Sequence, residues 1–243
     1  MRIDPTNDAF GHALMDHLEG SDDAFEIIER DDGFIAVSSR AGRYFDDASD
    51  WGALGQAALR AVRGRVLDVG CGAGRFALHL QGAGHDVVAI DVSPLAIEVC
   101  CRRGVRNARV LPITGISRRL GTFDTVLMMG NNFGLFGGAA RAARLLRRMK
   151  HITAPDARIV ANGLDPYQTT EPAHQAYHQR NRARGRMAGQ IRMRVRYKGL
   201  KTPWFDYLFV SLEELEDLLD GTGWRLAEAV EAGASHVVVL EKV

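Results

Sequence analysis

The chain has 243 residues, 46% of them apolar, enough for one α/β domain with an insertion around a sizeable core. Its 31 lysines and arginines nearly balance 30 aspartates and glutamates, and the net charge of +1 argues against a general polyanion binder while hiding local clusters. Three cysteines, two of them adjacent, do not make a disulfide framework and fit a reducing cytoplasm; no run reaches the ~18 apolar residues of a membrane span, and the first eight residues carry no signal-peptide pattern.

Residues 1–64 precede the core. Asp8 to Leu18 reads as a helix, and Phe25–Ile28 and Phe34–Val37 read as short strands joined by a turn at Asp31-Asp32-Gly33. A helix is expected from Ser49, as N-cap, to Val62, with Gly64 ending it. The most informative stretch follows: Val-Leu-Asp-Val-Gly-Cys-Gly-Ala-Gly-Arg over 66–75, a buried strand running into a glycine loop and a helix over 73–82. Glycines at 70, 72 and 74 let backbone approach a ligand closely, and the helix start can hold an anionic group. Strand 86–90 ends at Asp91, placed to accept hydrogen bonds from ribose hydroxyls. The pair of crossovers therefore fits a nucleoside-containing cofactor. Helix 94–103 is opened by Ser93 and Pro94. Strands 108–112 and 123–129, helix 138–151 and strand 157–161 complete an alternating pattern that implies a parallel sheet with helices on both faces. Ligands of such sheets sit beyond the carboxyl ends of the strands, where Gly70, Asp91, Thr114 and Asn131 fall. A last helix from Ser211, with Glu214 at capping-box spacing, is followed by strands 224–231 and 236–241.

Between 164 and 210 lie about forty-five residues that the core does not require. From Pro172 to Phe205 there is no acid, while Ile191 to Lys198 alternates apolar residues with Arg192, Arg194, Arg196 and Lys198. A β-hairpin is expected, its second strand over Trp204–Val210. Its cations suit a substrate lid that recognises a carboxylate or phosphate, an RNA backbone, or a solvated or oligomer-forming edge.

A dinucleotide fingerprint would need a third glycine where Arg75 stands. The observed Gly-x-Gly-x-Gly instead resembles the first motif of the class I S-adenosylmethionine-dependent methyltransferases. Asp91-Val92-Ser93 resembles that family's second motif and Phe123-Asp124-Thr125-Val126-Leu127 its fourth strand. The resemblance covers about 50–163 and 211–243. It implies a doubly wound, mostly parallel seven-stranded sheet with an antiparallel C-terminal hairpin strand. On this reading 1–64 is an N-terminal cap, 65–163 the Rossmann-like cofactor-binding core, 164–210 a lid or substrate insertion, and 211–243 completes the core. The implied cofactor is S-adenosyl-L-methionine, with S-adenosyl-L-homocysteine as product. Tyr44, Asp68, Gly70, Cys71, Gly72, Gly74, Asp91, Val92, Thr114, Gly115 and Met129 are its expected contacts. Asn131, His174 and His178 are the catalytic candidates. Asn132, Tyr177, Arg194 and Tyr207 are the substrate-binding candidates. Gly130-Asn131-Asn132-Phe133-Gly134 lacks the Asn-Pro-Pro-aromatic form used on exocyclic base amines, and no metal-ligand spacing is seen.

The expected function is methyl transfer to a small molecule, in which an anionic group is an option, by in-line displacement in the cytoplasm. RNA or protein methylation through the basic hairpin and a non-catalytic cofactor-binding module are the rivals. A homodimer is an option and no membrane partner is expected.

Overall fold

The computed structural model describes residues 3–243, so the first two residues of the expected N-terminal cap lie outside the described residues. In chain order the elements are α1 (Ala9–Leu18), β1 (Phe25–Arg30), β2 (Ile35–Arg40), α2 (Gly52–Ala61), β3 (Val66–Val69), α3 (Arg75–Gly82), β4 (Val87–Asp91), α4 (Pro94–Arg102) and β5 (Ala108–Val110). They continue with β6 (Phe123–Met128), α5 (Ala139–Lys150), β7 (Thr153–Leu164), α6 (Pro172–Ala183), β8 (Gln190–Tyr197), β9 (Leu200–Lys201), β10 (Phe205–Leu208), α7 (Leu212–Leu219), β11 (Trp224–Ala232) and β12 (Ser235–Lys242). Seven strands form a sheet in the order β11-β12-β7-β6-β3-β4-β5. It is mostly parallel, with β12 antiparallel to both β7 and β11. This is the Rossmann-like arrangement expected, with its hairpin ending. No helix among the described residues is long and apolar enough to cross a membrane.

Contacts divide the chain into two compact units. The first holds the residues up to Trp51, Val66–Gly115 and Arg192–Phe205. Within it β3 and β4 are buried at every position: β4 reads as an apolar run closed by Asp91, and β3 carries the buried Asp68 between Leu67 and Val69. Ser93 caps α4 by accepting a hydrogen bond from Ala96 N, and Pro94 supplies the preset first turn. The same unit joins segments far apart in sequence: β8 runs antiparallel to β1, which pairs β2. The expected hairpin therefore does not stand alone. Its strands share a five-stranded sheet with the two N-terminal ones, in the order β10-β8-β1-β2 with β9 on β8.

The second unit holds Gly52–Arg65, Ile116–Ile191 and Asp206–Val243. Its core gathers Phe133, Phe136, Leu145, Leu146 and Met149, all fully buried. The Ser211–Glu214 capping box forms at the start of α7. Boundaries differ from expectation: β7 runs over Thr153–Leu164 where a strand over 157–161 was expected, and the start of α2 shifts. Ser49 does not cap α2 but lies in a short 3-10 turn, Ala48–Asp50, and the α-helix starts at Gly52. The Trp51 indole donates to the Asp46 carbonyl, which closes that turn separately.

Candidate functional site

The glycine loop leaves β3 with its N–H groups already engaged. Gly70 N and Cys71 N donate to the Ile90 carbonyl, Gly74 N to the Cys71 carbonyl, and Gly72 N to Asp91 Oδ2 at 3.0 Å. The loop therefore offers close backbone approach rather than a row of free donors. Two glycines explain its composition. A Cβ at Gly72, where φ is +54°, would touch the Tyr44 and Phe10 rings, and one at Gly74, where φ is +77°, would press on Val105 and Cys100.

Asp91 closes β4 and is 8% exposed. Besides Gly72 N it accepts from Ser93 N at 2.9 Å, so it ties the loop after β3 to the start of α4. Burial pushes its carboxyl up, and those backbone donors hold it down. Asp68, 3% exposed, differs. Its Oδ2 is buried and has no hydrogen-bond partner among the described residues. Burial first, and then the neighbouring Asp91 charge, push the Asp68 carboxyl up to about 7, against the pull of Arg75. A buried acceptor left empty costs about 1–3 kcal/mol, so the site calls for a donor.

Behind Asp91 stands a residue that the motif reading passed over. Asp8 is fully buried, caps α1 through Gly11 N at 2.9 Å, and accepts from Ser93 Oγ at 2.6 Å and Leu95 N at 3.2 Å. The sequence places it as the first residue of the helix; the structure makes it the N-cap, a signal that reports no second partner. Tyr44 stacks edge-on with Phe10 at 5.1 Å, and its hydroxyl donates to buried Glu26, whose carboxyl burial pushes up. Arg103 holds the Tyr44 segment to the loop, donating to the carbonyls of Ala73 at 2.6 Å and Tyr44 at 3.5 Å. Val92 is half-buried beside Asp91; Thr114 is exposed and Gly115 half-buried in a short 3-10 turn after β5. These residues, with Gly70 and Cys71, belong to the first unit.

Arg194 also lies there, and its guanidinium is bidentate on Glu29, both contacts at 2.8 Å, over the Trp204 ring. Arg196 shares Glu29 at 3.2 Å, and Lys198 and the Tyr197 hydroxyl meet Asp16. The basic strand face is therefore largely met by acids of the N-terminal segment. Arg194 draws the Glu29 carboxyl below its usual range, and Lys198 does the same to Asp16.

The remaining candidates belong to the second unit. Met129 is buried at the end of β6. Asn131 adopts φ +63°, its N donates to Asn162 Oδ1 at 2.9 Å, and its carbonyl accepts from the Tyr207 hydroxyl at 2.6 Å. Its Oδ1 is buried without a partner among the described residues. Gly134 is close enough to Tyr207 that a Cβ would enter the ring. Asn131 and Tyr207 are thus brought together, with half-buried Asn132 following in the chain. His174, Tyr177 and His178 do share α6: His174 Nδ1 meets Thr169 Oγ1 at 3.0 Å, while Tyr177 and His178 are buried.

An empty buried carboxylate oxygen, a second carboxylate fixed by the loop it faces, and an aromatic pair on the glycine backbone form a set that fits an adenosyl amino-acid cofactor, with its ammonium and ribose hydroxyl donors.

Comparison with known proteins agrees. A family pattern described as a methyltransferase domain matches residues 66–156. A ubiquinone biosynthesis O-methyltransferase of Methylocella silvestris is 41% identical over 70 residues, 27% of each chain. A 2-heptyl-1-hydroxyquinolin-4(1H)-one methyltransferase of Mycobacteroides abscessus is 39% identical over 70 residues, 25% of this chain and 31% of that one. The matched stretches thus span less than a third of either curated relative. A solved S-adenosylmethionine-dependent methyltransferase from Bacteroides fragilis, in complex with S-adenosyl-L-homocysteine, is 26% identical with a TM-score of 0.84, covering 100% of this chain and 98% of its own. Residues 66–156 thus match a methyltransferase domain, and over its full length the chain is similar in fold to that cofactor-bound methyltransferase.

Proposed function

We propose that the protein methylates a small-molecule acceptor by in-line displacement, with S-adenosyl-L-methionine as methyl donor. The observation that carries the reading is the empty, buried Asp68 Oδ2 beside an Asp91 already locked to the glycine loop. When bound, the cofactor supplies a methyl carbon activated by its sulfonium charge. The protein's own work is placement. Asp91 holds ribose hydroxyls, Asp68 accepts from the amino-acid end, and Phe10 and Tyr44 exclude water from the loop. Holding two reactants in line lowers a barrier by ~7–11 kcal/mol. Asn131 orients the acceptor, and His174 or His178 serves as base where the acceptor arrives protonated.

Two features support a small acceptor over RNA. Both curated relatives carry names that refer to small ring compounds. The Glu29 and Asp16 pairings also leave little of the β8 basic face for phosphates. The test is release of S-adenosylhomocysteine across a panel of hydroxylated aromatics, amines and small acids, run beside tRNA and protein extracts. Release with a small molecule is expected. Release only with RNA or protein would overturn the choice of acceptor.

A further inference from the structure

Cys71 and Cys100 come from different motifs, 29 positions apart, yet their sulfurs lie 3.7 Å apart. Both are buried, and both are free thiols. Cys71 is the middle of the glycine loop, and Cys100 Sγ donates to the Gly72 carbonyl at 3.1 Å. Gly72 N in turn is held by Asp91. One sulfur of the pair is therefore part of the cofactor loop, and the other braces its backbone. We infer that Cys71 and Cys100 form a reversible disulfide modification site, through which a peroxide or other two-electron thiol oxidant lowers affinity for the adenosyl cofactor. The inference rests on the cofactor assignment above.

The chemistry balances with hydrogen peroxide as oxidant. A thiolate of the pair attacks one peroxide oxygen, the O–O bond breaks, and the departing hydroxide takes a proton to become water. The resulting sulfenic acid is attacked by the second sulfur. The S–S bond forms, the S–O bond breaks, and the leaving hydroxide takes the second thiol proton as water. Two thiols are oxidised and one peroxide is reduced to two waters. Bonding distance between sulfurs is about 2.0 Å, so closure must draw the loop and α4 together. Closure also removes the S–H that donates to the Gly72 carbonyl. The Gly74 Cβ position lies against Cys100 Sγ and Val105, so the loop has little room to yield without moving Gly72 and its bond to Asp91. The hydrogen bond to Cys100 and burial push the Cys71 thiol up, so oxidation is slow at neutral pH and speeds as pH rises.

The test uses the full chain carrying Cys101→Ser, because Cys101 is exposed and would compete as a thiol. Reduced protein is titrated with S-adenosylhomocysteine by calorimetry, treated with hydrogen peroxide, and titrated again. Peptide mass mapping identifies the linked cysteines. The expected result is a 71–100 linked peptide, affinity roughly tenfold weaker, and recovery on adding dithiothreitol. Cys101→Ser/Cys100→Ser protein keeps a hydroxyl donor for the Gly72 carbonyl and is expected to bind alike before and after peroxide. The inference is overturned if residues 71 and 100 do not link, if linkage leaves affinity unchanged, or if the double variant loses affinity to peroxide equally. Failure of the reduced protein to bind would instead overturn the cofactor reading, so the two failures are distinct.

Discussion

At the scale of single residues, the two buried aspartates do different work, and each yields a prediction. Asp91 is a fixed acceptor whose oxygens organise the Gly72 and Ser93 backbone. Asp91→Ala is expected to weaken S-adenosylhomocysteine binding by about 2 kcal/mol, because charge-assisted hydrogen bonds are lost together with loop order. Calorimetry with unchanged affinity would reject that role. Asp68 titrates at about 7 in the folded chain, against ~3.9 when unfolded. The folded state thus binds this proton more tightly, so the stability it contributes is fully present below about pH 4 and lost as pH rises through about 7. A cationic donor on Oδ2 favours the carboxylate and reverses that preference. Binding is therefore expected to release a proton below about pH 7, and affinity to rise between about pH 6 and 8 before levelling off. Titration in buffers of different ionisation enthalpy reads the proton directly. Asp68→Asn should abolish the release, and pH-independent binding by the unchanged protein would count against the assignment.

Elements show why some of this was legible and some was not. Local signals carried through: Ser93 caps α4, Ser211 and Glu214 box α7, and the apolar runs ending in Asp68-Val69 and Asp91 are buried strands. Each depends on neighbours within a few positions. Ser49 failed because the Trp51 indole closes a separate 3-10 turn ahead of α2, a tertiary choice that a cap pattern does not encode. Asp8 was read as the first residue of a helix, not as its cap or as the acceptor for Ser93 and Leu95, which lie 85 and 87 positions on. That double duty makes α1 and the start of α4 a joint element. Asp8→Ala removes a cap and leaves buried donors unpaired, with an expected loss of about 1–3 kcal/mol in urea unfolding. Asp8→Asn should recover most of the cap but less of the link to Ser93. A midpoint unmoved by Asp8→Ala would show that the joint carries no weight.

For the molecule as a whole, the parallel sheet followed from the alternation of elements, because short crossovers leave few topologies open, while the hairpin ending came from the family resemblance. The company kept by the β8 cations followed from neither. Their acids, Glu29 and Asp16, are more than 160 positions away, so a stretch without one acidic residue looked more basic in sequence than it is when folded. Likewise β8 pairs β1, which a hairpin pattern over 191–210 could not reveal. What remains is a β8 face whose Arg194, Arg196 and Lys198 are paired with acids of the chain, and a first unit that holds buried Asp68 and Asp91 beside the glycine loop. The direct measurement is calorimetric titration of the reduced, unaltered protein with S-adenosylhomocysteine, beside NADH. The account predicts saturable binding of the first with dissociation constants in the micromolar range, about −8 kcal/mol, and none of the second. Saturable NADH binding with no heat from S-adenosylhomocysteine would contradict it.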